Sequence, residues 1–214
     1  WFSPIPRRHV PRRSLPMEPM QTEERRLTVE RNVPVDALYM AFHMCSRNHP
    51  DYYAFDMLSD LLSSGRSSRF VQHLVQDKQI FNSIDAYISG SIDNGLFHIV
   101  GKPAPEKTLE EAEKAIWEEL ALLTEGSIDE NELEKVKNRY ESEQIFNNLN
   151  YLNVATNLAY FELIGKAEDI NTEVEKYRSV TQEQIKRAAK QTFLPENCSV
   201  LYYKAAAKGA SHTP

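Results

Sequence analysis

The sequence predicts an α+β fold, a single domain with a mostly antiparallel sheet and helices packed on one of its faces. Three observations predict it. Period-two and period-3.6 apolar patterns alternate in the order two strands, two helices, a hairpin, several helices and one closing strand. No Pro/Gly-rich stretch interrupts residues 21–203, so these elements belong to one unit. Hydrophobic residues make up 41% of 214, enough for one core.

Five of the 11 prolines fall within residues 1–20 (Pro4, Pro6, Pro11, Pro16 and Pro19), which predicts an extended interdomain connector there. Arg7, Arg8, Arg12 and Arg13 lie in that connector and are read as a solvated linker before a binding patch. Residues 22–31 and 36–45 read as two strands around Asn32-Val33-Pro34. In the second, Leu38, Met40, Phe42 and Met44 share one face while Tyr39 and Ala41 are also apolar, so the strand is expected to be central and buried on both faces.

A helix is predicted over Asp51–Ser63 from Ala54, Met57, Leu58, Leu61 and Leu62. A second follows Ser67, on Phe70, Val71 and Leu74. Residues 82–90 and 95–102 read as a hairpin over Asp93-Asn94-Gly95, with Gly95 expected at positive φ. Leu109, Ala112, Ile116, Leu120 and Leu123 give the next helix. Ser127-Ile128-Asp129-Glu130 and Thr181-Gln182-Glu183-Gln184 have capping-box spacing, and a helix over 149–164 ends at Gly165. Residues 198–203 close the sheet, leaving 204–214 as a disordered tail.

Twenty-five Lys and Arg against 31 Asp and Glu give a net charge of -6, which argues against nucleic acid as a partner. No apolar run approaches a membrane span. Two cysteines, Cys45 and Cys198, are too few for a disulfide framework, and a single bridge between them stays open, as does the compartment.

No self-sufficient catalytic constellation is present, and neither H-E-x-x-H nor H-x-x-E-H occurs. The nearest approach to a metal site is His43-Met44-Cys45-Ser46-Arg47-Asn48-His49. It lacks a fourth ligand, and a strand end with a buried thiol and an exposed turn histidine accounts for it equally. Ser64-Gly65-Arg66-Ser67-Ser68 is a backbone-rich turn before a helix, where amides could receive an anion or a carbonyl oxygen; a plain connector with Ser67 or Ser68 as N-cap is the simpler reading. Glu110, Glu111, Glu113, Glu118 and Glu119 are read as a solvated helix face.

The run from Leu61 through Ser64-Gly65-Arg66-Ser67-Ser68-Arg69-Phe70 to Leu74 resembles the helix-turn-helix of the C-terminal domains of the pitrilysin/insulinase family of zinc metallopeptidases, which includes mitochondrial processing peptidase. Residues 1–8 resemble that family's interdomain linker, and Glu30-Arg31-Asn32-Val33-Pro34-Val35 with the next strand resembles its opening hairpin. The resemblance extends over nearly all of 1–203. It implies a zinc-less second half facing an N-terminal half, in the same polypeptide or a paired subunit, that carries H-x-x-E-H and the zinc. The second half helps enclose a peptide substrate; a dimer is a further implication. Ser64, Gly65, Ser67, Ser68 and Asn82 are the substrate-binding candidates, with no catalytic or metal-binding residue in this chain. Many members place an Arg and, seven residues later, a Tyr near the zinc. Here those positions hold Val75 and Asn82, which supply neither charge nor phenol, and two readings follow. A partner supplies the pair, or the protein is a proteolytically silent assembly subunit resembling the respiratory core proteins.

Overall fold

The protein is described by a computed structural model covering residues 3–6, 8, 9, 16 and 18–206. Half of the expected linker, Arg7, Arg12 and Arg13 included, and residues 207–214 lie outside the described residues.

Five strands, β1 (Arg25–Arg31), β2 (Ala37–Ser46), β3 (Phe81–Ser89), β4 (Asn94–Pro103) and β5 (Cys198–Ala205), form one sheet in the order β1-β5-β2-β4-β3. Only β1 and β5 pair in parallel; β5 with β2, β2 with β4 and β4 with β3 are antiparallel. The expected opening hairpin is therefore replaced. β5 enters between β1 and β2, with Leu201 beside both Leu27 and Tyr39. Composition explains the swap: β1 is rich in charge (Arg25, Arg26, Glu30, Arg31) and suits a solvated edge, while Cys198 and Val200 of β5 are buried. β5 also keeps Lys204 and Ala205, which the sequence reading put in the tail.

On β2, Leu38, Met40, Phe42 and Met44 are buried, but Tyr39 on the opposite face is 40% exposed and Ala41 and His43 are half-buried. Burial on both faces is not found, because helices cover only one. Phe42 meets Trp117 and Phe193 edge-to-face at 5.7 and 5.2 Å, and Phe97 meets Phe193 at 5.1 Å. Each such pair is worth about 0.5–1.5 kcal/mol beyond area burial. Together they pin the helical layer to the middle of the sheet.

The β3–β4 hairpin forms, but Gly95 does not take positive φ; it lies in β4 opposite Met44. A Cβ there would come within 2.6 Å of the Ser89 carbonyl oxygen, so close backbone approach is what requires glycine.

The helical layer comprises α1 (Tyr52–Ser63), α2 (Leu109–Glu125), α3 (Glu130–Asn147), α4 (Tyr151–Ile164), α5 (Glu173–Arg178) and α6 (Gln182–Thr192), with 3₁₀ turns at Ala167–Thr172 and Pro195–Asn197. Phe70–Asp77 is helical as predicted but wound as a wider π-helix, closed by the Lys78 N–H on the His73 carbonyl at 3.0 Å and by Gln79 at φ +50°. Thr181 and Gln184 make the expected capping box, and Thr108 with Glu111 makes another. The cap of α3 is Asp129, not Ser127: its carboxylate accepts the Asn131 N–H at 2.7 Å. A carboxylate one residue before the helix competes better for the free amides than a hydroxyl three residues before it. The segment 167–178, with α5, had no periodic signal.

The expected solvated row of α2 carboxylates is solvated only in part, since Glu113 and Glu119 are buried. Glu113 turns toward the β1–β5 edge and Glu119 toward the π-helix, each into a partner brought from elsewhere in the chain.

Candidate functional site

The helix-free face of the sheet is an accessible surface that spans all five strands. Side chains alternate along each strand, so cross-strand register decides which of them meet. One row runs Leu27, Leu201, Tyr39, Val100, Asp85 across all five strands, and the next runs Arg25, Ser199, Ala41, His98, Tyr87. Leu27, Tyr39, Ala41, His98 and Leu201 line a shallow concavity of about 380 Å³. Its walls are mostly aromatic and aliphatic, with Arg25, Arg26 and Ser199 beside them. Tyr39 meets Tyr203 edge-on at 6.4 Å, and Tyr87 stacks on His98 at 4.9 Å. His98 Nε2 lies 2.8 Å from Ser89 Oγ, and burial lowers its pKa, which favours the neutral ring. β1 and β3 form the two margins, each with an outer edge free of strand partners among the described residues. Such edges offer backbone amides and carbonyls to an extended peptide.

The turn 64–68 sits on the other side, among the helices. Gly65 takes φ +88°, a left-handed conformation that explains the glycine. Ser68 is buried and its hydroxyl donates to the Gly65 carbonyl at 2.8 Å, so it is no N-cap. Ser67 Oγ accepts from Lys135 Nζ at 2.5 Å, and Arg69 grips Glu132 through Nε and Nη2 at 2.9 and 3.0 Å. These bonds tie the turn to α3. Ser64, Gly65, Ser67 and Ser68 thus share one turn, whereas Asn82 is exposed in the bulge that opens β3, on a separate element. Val75 is half-buried against the core.

Sequence reasoning missed a polar cluster between α1, α3, α4 and α5. Arg47 and Glu173, both buried, form an ion pair; Tyr53 Oη donates to Glu173 at 3.1 Å, and the Arg47 guanidinium lies 4.4 Å from the Tyr52 ring centroid. Tyr177 Oη donates to Asp56 at 2.5 Å, and Tyr140 stacks on Tyr177. A cavity of about 330 Å³ opens beside them. Burial raises Asp56, against the opposing pull of Tyr177 and Arg47, and burial with the Asp56 charge pushes Asp60 up to about 6. The available signal was Asp56 and Asp60 one turn apart on an otherwise apolar helix face. The hydrogen-bond donor to Asp56, Tyr177, lies 121 residues away in chain order.

The described residues contain no group of three or more His, Cys, Asp or Glu able to hold a metal ion. His43 lies 3.7 Å from Glu18, His49 Nδ1 accepts the Asp51 N–H at 3.1 Å, and burial with the Asp51 charge raises the Cys45 thiol to about 11. This donor set does not fit zinc. Cys45 and Cys198 are both free thiols. No helix among the described residues is long and apolar enough to cross a membrane.

The fold is shared with known proteins. The family described as "Peptidase M16 inactive domain" matches residues 1–140. The uncharacterized zinc protease YmxG of Bacillus subtilis is 25% identical over 179 residues, covering 83% of this chain and 43% of that protein. The crystal structure of a protease from Helicobacter pylori superposes with a TM-score of 0.83 at 22% identity, over 91% of this chain and 48% of that one. A peptidase M16 inactive domain from Pseudomonas fluorescens gives 0.78 at 15% identity, over 96% and 48%. The chain spans less than half the length of the curated relatives it matches.

Proposed function

The chain belongs to the peptidase M16 inactive-domain family, and on that premise we propose that it walls a peptide-binding chamber completed by a separate, zinc-bearing H-x-x-E-H half. That half belongs to the same polypeptide or to a paired subunit. The observation that carries this reading is the helix-free sheet face, where Leu27 is 61% and Tyr39 40% exposed beside Val100 and Leu201. Apolar surface left in water forgoes about 25 cal/mol per Å². A second body or a substrate closing over the sheet recovers it. Rows of alternating side chains between two open strand edges suit an extended peptide more than a compact ligand.

Zinc in the other half supplies the activated water; this chain binds and confines. Val75 and Asn82 carry neither the charge nor the phenol of an oxyanion clamp, so the role is enclosure and not transition-state stabilisation. In the full-length polypeptide, Leu27→Lys with Tyr39→Lys raises KM for a peptide while kcat stays near wild type, with thermal unfolding unchanged. An unaltered KM, or chelator-sensitive cleavage by this chain alone, sinks the proposal.

A further inference from the structure

Charge is sorted between the two faces of the sheet at its β1 margin. Side chains of one parity point to the helices, and their cations are paired: Arg26 with Glu24 and Glu113, and Lys204 of neighbouring β5 with Glu110 at 4.0 Å. The other parity faces the bare side and reads Arg25, Leu27, Val29, Arg31. Both arginines are exposed, as is Leu27. Neither Arg25 nor Arg31 has a carboxylate within ion-pair reach among the described residues; Arg31 Nη1 donates to the Glu30 carbonyl at 2.8 Å. Asp85 is the one strand carboxylate of this face, and it stands on β3 at the opposite margin, diagonal to Lys102 of β4. A chain of net charge -6 thus keeps two uncompensated cations along one edge of its bare face. The backbone of that edge is open as well. The Arg31 carbonyl accepts the Ala206 N–H at 2.8 Å and so points into the sheet, and by alternation the amides and carbonyls of Thr28 and Glu30 point outward.

We infer that β1 takes an extended acidic segment of the peptide substrate as a further strand, with acids opposite Arg25 and Arg31 and apolar side chains opposite Leu27 and Val29. Along the peptide this is acid, apolar, apolar, acid at every other position. The pattern reads alike in both directions, so it fits β1 in parallel or antiparallel pairing. A guanidinium at each end can take a carboxylate through two bonds. One exposed ion pair is weak; two of them held in register by backbone pairing discriminate, since lysine in place of both acids turns two attractions into two repulsions. A one-residue slip would turn both acids to the helix side, where Glu24 and Glu30 stand. The same arginines that draw an acidic strand repel a second β1, because antiparallel pairing in register sets Arg25 against Arg31. This names the substrate class of the chamber reading and rests on it, for β1 borders the face over which the other half closes.

Fluorescence anisotropy with the 214-residue chain tests it. The probe is a labelled nonapeptide with glutamate at its second and eighth positions and valine at its fourth and sixth, compared with the same peptide carrying lysine for both glutamates. The acidic peptide is expected to bind at least ~10-fold more tightly, about 1.4 kcal/mol. Arg25→Glu with Arg31→Glu reverses the preference. Lys107→Glu with Lys190→Glu, the same change of net charge at exposed positions off the sheet, leaves it; circular dichroism confirms that both variants are folded. Two arms need no protein variant: moving one glutamate by a single position weakens binding, and so does methylating the inner amide nitrogens of the peptide. Equal affinity for the two peptides overturns the inference, as does a preference that survives the arginine reversal or is lost in the lysine control. Indifference to the moved glutamate or to amide methylation overturns it too. So does an acidic peptide that binds this chain but not the full-length polypeptide, the result if another segment covers β1. Binding is read without cleavage, so these outcomes bear on β1 and leave the chamber reading to its own KM measurement.

Discussion

Arg26 of the edge strand and Glu113 of α2 meet in a two-point ion pair, Nη1 to Oε2 at 2.9 Å and Nη2 to Oε1 at 2.5 Å. The carboxylate also accepts from Tyr202 Oη at 2.5 Å and from Trp117 Nε1 at 3.3 Å. Burial alone would raise Glu113, but these donors outweigh it and hold the group below the ordinary carboxylate range. Arg26→Met leaves a buried acid short of its cation. Because Arg26 itself is half-exposed, the loss is moderated to about 1–3 kcal/mol, read from the urea midpoint. With a depressed folded value, the contribution is complete above the unfolded carboxylate pKa and disappears as pH falls through the folded one. Arg26→Met should therefore flatten the acid limb of the stability profile.

Asp60 has the opposite sign. Its folded pKa is raised to about 6, from burial first and the Asp56 charge second. The native state holds the proton more tightly, so stability is highest below the unfolded value near 4 and declines as pH rises toward 6. Asp60→Asn removes that decline. Urea titrations at pH 4 and pH 7 should show the variant gaining about 1–3 kcal/mol on wild type at the higher pH; no pH-dependent difference would disprove the assignment.

Gly101 lies in β4 beneath Phe81, whose ring would stand 2.4 Å from a Cβ at that position. Phe81 is 2% exposed and has nowhere to retreat. Gly101→Ala should cost about 1–3 kcal/mol through overpacking, seen as a lower thermal midpoint. Phe81→Leu in the same chain should restore part of the loss.

Arg47 and Glu173 test the buried polar node. Arg47→Met leaves Glu173, 5% exposed, with only the Tyr53 hydroxyl at 3.1 Å and the half-exposed Lys176 ammonium at 3.6 Å, and should destabilise by about 1–3 kcal/mol. Adding Glu173→Gln removes the stranded charge, so the double variant should be more stable than Arg47→Met alone. Equal stability of the two would show that the cost is lost packing on Tyr52 and Tyr53.

Much of the architecture was legible because its signals are local. The alternation of Leu38, Met40, Phe42 and Met44, the helical spacing on α1, α2 and α6, and the Thr181–Gln184 box each depend on residues a few positions apart. The family resemblance rested on the same kind of short-range order. Gly95 misled because one residue type serves two needs, positive φ and close backbone approach, and only neighbouring strands tell them apart. The row of glutamates on α2 misled for a similar reason: whether Glu113 is solvated depends on where Arg26 and Tyr202 are brought.

By itself the amino-acid sequence determined most of the elements and their order, the segment 167–178 excepted, with the single domain and the lack of a zinc-ligand motif, since backbone propensity and side-chain periodicity act over one or two turns. Tertiary structure alone decided that β5 separates β1 from β2, that one sheet face stays bare, and that Arg47, Asp56, Glu173 and Tyr177 converge. Those outcomes balance buried area against the solvation of charge between segments distant in the chain. That balance is struck only when the whole chain packs.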